Sequence, residues 1–186
     1  MEPSVSSQAE STFAALYGRY EPQIYAYCRR RFAAEVAEDV LADVFLTAWQ
    51  KIDSAPAGED SLRWLYRIAY LTASNHRRGF TRRNRLVAKL ELTGIKFEPS
   101  VVDQVVVRDE IRNALTLLDG LRPAEREIIR LSVWERLSIK EISDVLSISP
   151  EAATQRLHRA RKHLVRDYER KNRKRLSPAA LEGGEW

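Results

Sequence analysis

The sequence predicts an all-α protein with two small helical domains joined by a flexible linker, the C-terminal one containing a helix-turn-helix. Apolar residues recur at steps of three and four over most of the 186 residues, which is typical of helices buried on one face. This periodicity weakens between about residues 85 and 107, where Gly94 and Pro99 occur. Residues 138–161 then carry two helix starts within a dozen positions, which indicates two helices separated by a tight turn.

The N-terminal domain is predicted to cover residues 11–84, after a disordered N-terminus at 1–10, and to hold three helices. Pro22 can kink or divide the first helix. The second ends at the loop DSAPAGED, because Pro and Gly cannot continue it, and the third begins near Ser61 and runs into HRRGFTRRNR. The predicted apolar faces are Phe13, Leu16, Tyr17, Tyr20, Ile24, Tyr27 and Phe32; then Val36, Val40, Leu41, Val44, Phe45, Ala48, Trp49 and Ile52; then Leu62, Leu65, Ile68, Ala69 and Thr72.

The C-terminal domain is predicted to cover residues 108–170, between a linker at 85–107 and a basic tail at 171–186. In the linker we expect a short helical turn near 86–92, and VVDQVVV is interpreted as the approach to a helix, because an isolated strand cannot bury its face. One helix begins near Asp109. Pro123 fits the first turn of the next, where its missing N–H costs nothing. The predicted core residues of these two helices are Ile111, Ala114, Leu115, Leu118, Ile128, Ile129 and Val133.

The two closely spaced helix starts predict the helix-turn-helix itself. Ser138 followed by Glu141 is a capping box, which places a helix at about 139–146, and Ser149-Pro150 is an N-cap followed by a first-turn proline. The second helix buries Ala153, Leu157, Ala160 and Leu164 against Ile142, Leu146 and Ile148, and shows Thr154, Gln155, His158, Arg159 and Lys162 to solvent.

A polar and basic outer face on the second helix is typical of a recognition helix that enters the major groove of DNA. Gln and Arg side chains can bond to adenine and guanine edges, while Arg156, Arg161 and Arg166 suit phosphates. The alternative is a basic, solvated helix in an ordinary bundle. The basic run that continues to Arg175 favours DNA binding.

Charge is unevenly distributed along the chain. Residues 1–60 hold five Lys and Arg against ten Asp and Glu, whereas residues 61–186 hold 26 against 16. The two parts are therefore expected to face different partners, one of them a polyanion and the other more basic.

Several classes of protein are disfavoured by the composition. Cys28 is the single cysteine, so it can form neither an intramolecular disulfide nor a Cys-based zinc cluster, and it is interpreted as an inert core thiol. No apolar run approaches the ~20 residues that span a bilayer, and the start of the chain does not resemble a signal peptide. A cytoplasmic protein without membrane insertion is predicted.

The sequence also contains no motif that indicates catalysis. His76, His158 and His163 have no carboxylate or cysteine in metal-ligand spacing, and no glycine loop could cradle a phosphate. Asp39 and Asp43 lack a third ligand for a cation. We therefore expect no metal, no cofactor and no enzymatic activity.

Three stretches resemble bacterial sigma factors, particularly the compact extracytoplasmic-function group. LTLLDGLRPAEREIIRLSVWERLSIKEISDVLSISPEAATQRLHRARKHL resembles the fourth conserved region, while AEDVLADVFLTAWQKI and SLRWLYRIAYLTASNHRRGFTRR resemble the second. The match covers about residues 13–83 and 108–169, in the order of the family. The resemblance implies a subunit that binds core RNA polymerase, directs promoter-specific initiation and is held inactive by an anti-sigma protein.

The resemblance also implies which residues meet each partner. In the family, the second-region helix docks on the clamp helices of the largest catalytic subunit, the adjoining segment melts and reads the minus-ten element as single strands, and the fourth region binds the double-stranded minus-thirty-five element. The residues so implied are Glu38, Asp39, Asp43 and Gln50 for polymerase; Arg63, Trp64, Arg67, Tyr70, His76, Arg77 and Arg78 for the minus-ten element; and Ser138, Lys140, Thr154, Gln155, Arg156, His158, Arg159 and Lys162 for the minus-thirty-five element.

The residues themselves agree with these implied roles. Aromatic side chains beside a cationic track are the usual means of holding single-stranded DNA, although Trp64 and Tyr66 cannot share one helix face, so some of these aromatics must be core. The loop DSAPAGED corresponds in position to a family loop that helps form a pocket for an extracted base. Phe45 and Trp49 are interpreted as core.

The chain departs from the family pattern at a few positions. Tyr70-Leu71 stands where Arg-Asn is frequent, and Asn75 where Asp is frequent. Ser147 replaces a frequent turn glycine, and Ala152-Ala153 replaces a Thr-Val pair. The turn can still form, but base preferences are not carried over.

A second hypothesis is a helix-turn-helix transcriptional regulator that binds duplex DNA without being a polymerase subunit. Its N-terminal bundle would then serve for dimerisation. The LSxxEI pattern of this helix-turn-helix also occurs in response-regulator output domains, so the C-terminal domain alone does not separate the two hypotheses.

Overall fold

The structure is a computed structural model that describes the backbone of residues 5–90 and 109–175 and the side chains of residues 7–79 and 114–173. These ranges are helical and contain no strand, which confirms the predicted all-α class. They form two compact units. The first is built mainly from α1 (Val5–Arg29), α2 (Ala34–Gln50) and α3 (Asp60–Leu90), and the second mainly from α4 (Asp109–Gly120), α5 (Pro123–Val133), α6 (Ile139–Leu146) and α7 (Pro150–Arg175).

The core of the first unit lies where the apolar faces of α1, α2 and α3 meet. Tyr27 is fully buried, and its ring centroid lies 5.6 Å from that of Tyr66 on α3. Cys28 is buried beside it, as predicted. Burying large side chains in this way contributes about 1.5–3 kcal/mol each. The core residues of this unit are Leu16, Tyr20, Ile24, Tyr27, Cys28, Ala37, Val40, Val44, Phe45, Ala48, Leu65, Tyr66, Ile68, Ala69 and Ala73.

Three residues predicted to be core are exposed. Tyr17 and Trp49 lie at the rim, where Phe13 contacts the Trp49 ring edge-on at 5.2 Å and Tyr17 lies 4.7 Å from Phe45. Tyr17 and Trp49 therefore pack against neighbouring aromatic rings while one side of each stays exposed to solvent. Val36 is exposed because it falls outside the buried line that runs through Ala37, Val40, Val44 and Ala48.

The helix ends of this unit also differ from the prediction. α1 begins at Val5, within the stretch expected to be disordered, and passes through Pro22 as one helix. α3 continues to Leu90, past the predicted end of the domain and through most of the expected short turn. VVDQVVV lies outside the described residues, as do residues 91–100 of the predicted linker and the end of the tail.

The loop between α2 and α3 is tied down at two points. The hydroxyl of Ser61 donates to the carbonyl of Pro56 at 2.6 Å, and the Tyr20 hydroxyl donates to the carbonyl of Gly58 at 3.4 Å. Gly58 has φ +70°, a left-handed conformation that glycine adopts without steric cost. The loop is therefore held against the first unit, beside the start of α3.

In the second unit, α7 packs against α5 and α4, and α6 also carries buried apolar side chains. The predicted starts at Asp109 and Pro123 are confirmed, and Ile128 and Ile129 are buried. Val133, predicted as core, is 58% exposed at the last residue of α5, and Ala114 is exposed as well. The core residues are Leu118, Leu121, Ile128, Ile129, Leu131, Ile142, Val145, Leu146, Ala153, Leu157 and Ala160.

Hydrogen bonds and an ion pair hold the first turn of α5 in place in this unit. Arg126 donates to the backbone carbonyls of Asp119 and Leu121, which closes the corner between α4 and α5. Both carboxylate oxygens of the largely buried Glu125 lie 3.1 Å from Nδ1 of His163 on α7. His163 is therefore engaged inside the unit, and α7 is held in a defined position against α5.

Candidate functional site

The turn between α6 and α7 is built as the sequence predicts. The backbone N–H of Ser138 donates to Oε2 of Glu141 at 2.8 Å, and the Glu141 N–H donates to the Ser138 hydroxyl, so the capping box is complete. α6 ends at Ser147, which has φ 55° and ψ 50° in the left-handed region. The Ile148 N–H then donates to the Ser143 carbonyl at 3.1 Å. These bonds turn the chain sharply into α7.

α7 begins with the predicted Ser149 cap. The Ser149 hydroxyl accepts from the Ala152 N–H at 3.1 Å. The pKa of Glu151 is lowered, first by a hydrogen bond to its own backbone N–H and then by the Ser149 hydroxyl. A carboxylate is favoured here because the first N–H groups of a helix have no partner within it.

The outer face of α7 carries polar and basic side chains over a line of small and apolar ones. Ala153, Leu157 and Ala160 are buried beneath it. Among the described residues, no hydrogen bond or ion pair engages Gln155, His158, Arg159 or Lys162. Long side chains with unused donors are what the reading of base edges and phosphates requires. The exposed members of the predicted set on α7 are Thr154, Gln155, His158, Arg159 and Lys162, and Arg156 is half-buried.

Two hydroxyls of the predicted minus-thirty-five set are already used locally. The Ser138 hydroxyl donates to Oε2 of Glu141 at 2.6 Å, and the Thr154 hydroxyl donates to the Pro150 carbonyl at 2.9 Å. Lys140 is exposed near the start of α6. In this set Ser138 therefore acts as a cap, while the long side chains of α7 extend into solvent.

The exposed face of α2 is acidic and has an apolar centre. Asp39, Asp43 and Gln50 are exposed at positions i, i+4 and i+11, and Leu46, 55% exposed, occupies i+7 of the same line. Glu38 is exposed beside them. Sequence reasoning missed Leu46, although it falls outside the Val40–Val44–Ala48 spacing and could have been assigned to the outer face on that ground.

Asp43 has a partner that the sequence did not predict. Nε2 of His76, on α3, lies 2.7 Å from Oδ2 of Asp43. The ring centroid of Phe32 lies 6.5 Å from that of His76, and the two ring planes are inclined at 66°. The structure thus joins two residues that the resemblance assigns to different partners, polymerase and minus-ten DNA.

α3 presents a basic track interrupted by apolar groups. Arg63 pairs with Asp60 at 2.9 Å, Arg67 is exposed, and Arg78 donates to Oδ1 of Asn75 at 2.6 Å. Arg77 is half-buried and donates to the Ser74 hydroxyl at 3.4 Å.

The apolar groups of this track divide between core and surface. Tyr66 is buried, whereas Trp64 and Tyr70 are half-buried, so the latter two keep part of their rings accessible for stacking. Leu71 is exposed on the same helix. Of the three aromatic side chains on this helix, Trp64 and Tyr70 are therefore the accessible ones.

The described residues hold no group of three or more His, Cys, Asp or Glu that could bind a metal ion. Among the described helices, none combines the length and the apolar character that crossing a bilayer requires.

Two family profiles match the chain. Sigma-70 region 2 matches residues 16–83, which lie in the first unit, and Sigma-70 region 4 matches residues 111–164, which lie in the second. The chain is 30% identical over 138 residues to the RNA polymerase sigma factor CnrH of Cupriavidus metallidurans, covering 68% of this chain and 70% of that protein. It is 28% identical over 172 residues to the ECF RNA polymerase sigma factor SigW of Bacillus subtilis, covering 83% and 88%.

Two solved structures share the fold. CnrH, in complex with the cytosolic domain of CnrY, matches with a TM-score of 0.60 at 22% identity, over 88% of this chain and 94% of that one. The sigma factor RpoE of Bartonella quintana, in complex with the anti-sigma factor NepR, matches with a TM-score of 0.63 at 21% identity, over 82% and 93%.

Proposed function

Because this chain belongs to the extracytoplasmic-function group of RNA polymerase sigma factors, we propose that its acidic α2 face docks on core polymerase while α3 and α7 read promoter DNA. The family directs promoter-specific transcription initiation. The observation that carries the assignment of surfaces is the contrast between two exposed helix faces, acidic on α2 and basic on α7. Complementary charge steers partners together and suppresses wrong ones.

For polymerase docking, α2 offers carboxylates around an apolar centre. Glu38, Asp39 and Asp43 would meet the basic side chains of the clamp helices, with Leu46 as an apolar anchor and Gln50 at the end of the line. Interfaces commonly combine a desolvated apolar centre with a polar rim. This arrangement supports a protein partner rather than a bound cation.

For the minus-thirty-five element, α7 would enter the major groove behind the turn at Ser147. Gln155 and Arg159 are exposed and can form paired hydrogen bonds to adenine and guanine edges. Lys162, Arg156 and Arg161 would contact the flanking phosphates. Ser138 contributes by capping α6, which fixes the angle at which α7 is presented.

For the minus-ten element, α3 would supply cationic contacts and accessible ring surface. Arg63, Arg67, Arg77 and Arg78 form the track beside the half-buried Trp64 and Tyr70. Base–aromatic stacking contributes about 1–3 kcal/mol per base. The loop held by Ser61 and Tyr20 adjoins the start of α3, where an extracted base would be received.

In this role the protein contributes binding energy and needs no chemistry of its own, and it acts in the cytoplasm with the polymerase. The two solved relatives are held by other proteins, one of them an anti-sigma factor. We propose that an anti-sigma protein covers the same α2 and α7 faces here. Such a protein should compete with core polymerase for this chain.

Transcription with purified core polymerase tests the proposal. The chain and core polymerase are combined on fragmented genomic DNA of the source organism, and the 5′ ends of the transcripts are sequenced. Transcripts that start at a shared pair of upstream motifs only when the chain is present support the proposal. Binding of the chain to duplex DNA with no initiation would favour the regulator hypothesis instead.

A further inference from the structure

We propose that His76 is a positioning residue for polymerase docking, which holds the Asp43 carboxylate in place, and that it is not a contact to minus-ten DNA. This inference rests on the proposed docking role of Asp43. It reassigns a residue that the family resemblance implies for DNA.

The geometry ties the two residues across two helices. His76 on α3 and Asp43 on α2 are 33 positions apart in the chain, and Nε2 lies 2.7 Å from Oδ2. The His76 side chain is 30% exposed and that of Asp43 is 53% exposed. The Phe32 ring limits the imidazole on another side. One carboxylate oxygen is thus held by a partly shielded donor, while the exposed carboxylate can still accept from an incoming basic side chain.

The hydrogen bond also decides what else His76 can do. An ionised carboxylate only accepts, so the proton of this bond is carried by Nε2 of the imidazole. Nε2 is therefore occupied by Asp43 and is not offered to DNA, whereas Arg77 and Arg78 remain for the cationic track.

The expected benefit is preorganisation. A side chain that is already held in its bound position loses less freedom when an interface forms, and ordering costs about 0.5–1.5 kcal/mol per rotamer-rich side chain. Removing the restraint should therefore weaken polymerase binding by about two- to tenfold. Removing Asp43 itself should cost more, because its partner charge on the polymerase is then left unpaired.

Binding measurements on four variants test this inference. His76→Ala should weaken binding to core polymerase by about two- to tenfold. His76→Gln should restore it, because the amide nitrogen of Gln occupies the ε position and can donate as Nε2 does. His76→Asn, whose amide is one atom shorter, should not. With Asp43→Asn as background, His76→Ala should add little further loss.

A second readout separates positioning from DNA contact. Holoenzyme formed at saturating polymerase should bind a single-stranded minus-ten oligonucleotide equally well with His76 or His76→Ala, whereas Arg78→Ala should bind it more weakly. Unchanged polymerase affinity in His76→Ala, or a loss confined to the oligonucleotide, would overturn the inference. If Asp43→Asn binds polymerase as well as the parent chain, both the docking role of Asp43 and the positioning role of His76 are wrong. If Asp43→Asn weakens binding and His76→Ala does not, only the positioning role of His76 is wrong.

Discussion

The helices α2 and α7 have similar buried faces and different exposed faces. Each helix buries a line of small or branched residues, Ala37 to Ala48 in α2 and Ala153 to Ala160 in α7. Above that line, α2 shows carboxylates around Leu46, whereas α7 shows Gln155, Arg159 and Lys162, whose side chains no other described residue engages. The proposed polymerase face therefore consists of carboxylates around an apolar side chain, and the proposed DNA face of longer side chains that can extend into a groove.

The two helices also begin differently. α2 starts at Ala33 without a side-chain cap, and its position depends on packing against α1 and α3. α6 and α7 each start at a serine whose hydroxyl accepts a backbone N–H. The helix-turn-helix is therefore specified largely by local residues, while the acidic face is specified by tertiary contacts.

The largest effect is expected from reversing the charge of the α2 face. Asp39→Lys with Asp43→Lys should weaken binding to core polymerase by about a hundredfold or more, because like charges opposed across an interface cost several kcal/mol. Duplex binding by the α7 face should persist. Titration of labelled chain with polymerase measures the first quantity, and titration with upstream duplex the second.

A matched control carries the same change of charge elsewhere in the first unit. Asp53→Lys with Glu59→Lys alters two exposed residues outside the α2 face. It should bind polymerase nearly as well as the parent chain. Equal losses in both double variants would mean that net charge, rather than the α2 face, governs docking.

The next effect concerns the α7 face. Arg159→Ala should weaken binding to the upstream duplex by about 1–3 kcal/mol and relax the preference at one base pair. Arg161→Ala, a proposed phosphate contact, should weaken all duplexes alike and lower the salt dependence by about one unit of slope. Titration against duplexes altered at each base pair distinguishes these patterns. A uniform loss in Arg159→Ala would reassign that residue to a phosphate.

The side-chain cap of α6, which α2 lacks, should contribute measurably to the stability of the second unit. Ser138→Ala removes both the hydroxyl acceptor and its bond with Glu141, and it should lower the free energy of unfolding of the second unit by about 0.5–2 kcal/mol. Ser138→Thr keeps the hydroxyl and should unfold near the parent temperature. A loss of duplex affinity in Ser138→Ala without any loss of stability would make the hydroxyl a DNA contact instead of a cap.

Local signals account for what could be predicted from the sequence. The cap residues and the first-turn prolines placed α5, α6 and the start of α7, and apolar spacing found most of both cores. The same spacing says nothing of where a neighbouring helix ends, so it predicts Tyr17, Trp49 and Val133 as core although they lie at rims or ends. The sequence alone does not indicate that Leu46 is part of the outer face, because an exposed apolar residue is unexpected there unless a binding partner covers it.

The link between Asp43 and His76 lay beyond prediction from the sequence. It depends on the approach of α3 to α2, which neither residue determines alone. Charge counts could show that the first part of the chain is acidic and the rest basic. They could not show that one carboxylate of the acidic face is held by an imidazole from the helix assigned to DNA.

The smallest effect is expected at the turn, where Ser147 stands in a left-handed conformation. A side chain with a Cβ pays a steric cost there of about 1–2 kcal/mol, which glycine avoids, while glycine loses roughly 0.5–1 kcal/mol more in backbone entropy. Ser147→Gly should therefore raise the free energy of unfolding by at most about 1.5 kcal/mol. Ser147→Ala keeps the Cβ and should show no such gain in thermal unfolding. Equal stability of the glycine and alanine variants would mean that Ser147 is not strained and that the turn tolerates serine as well as glycine.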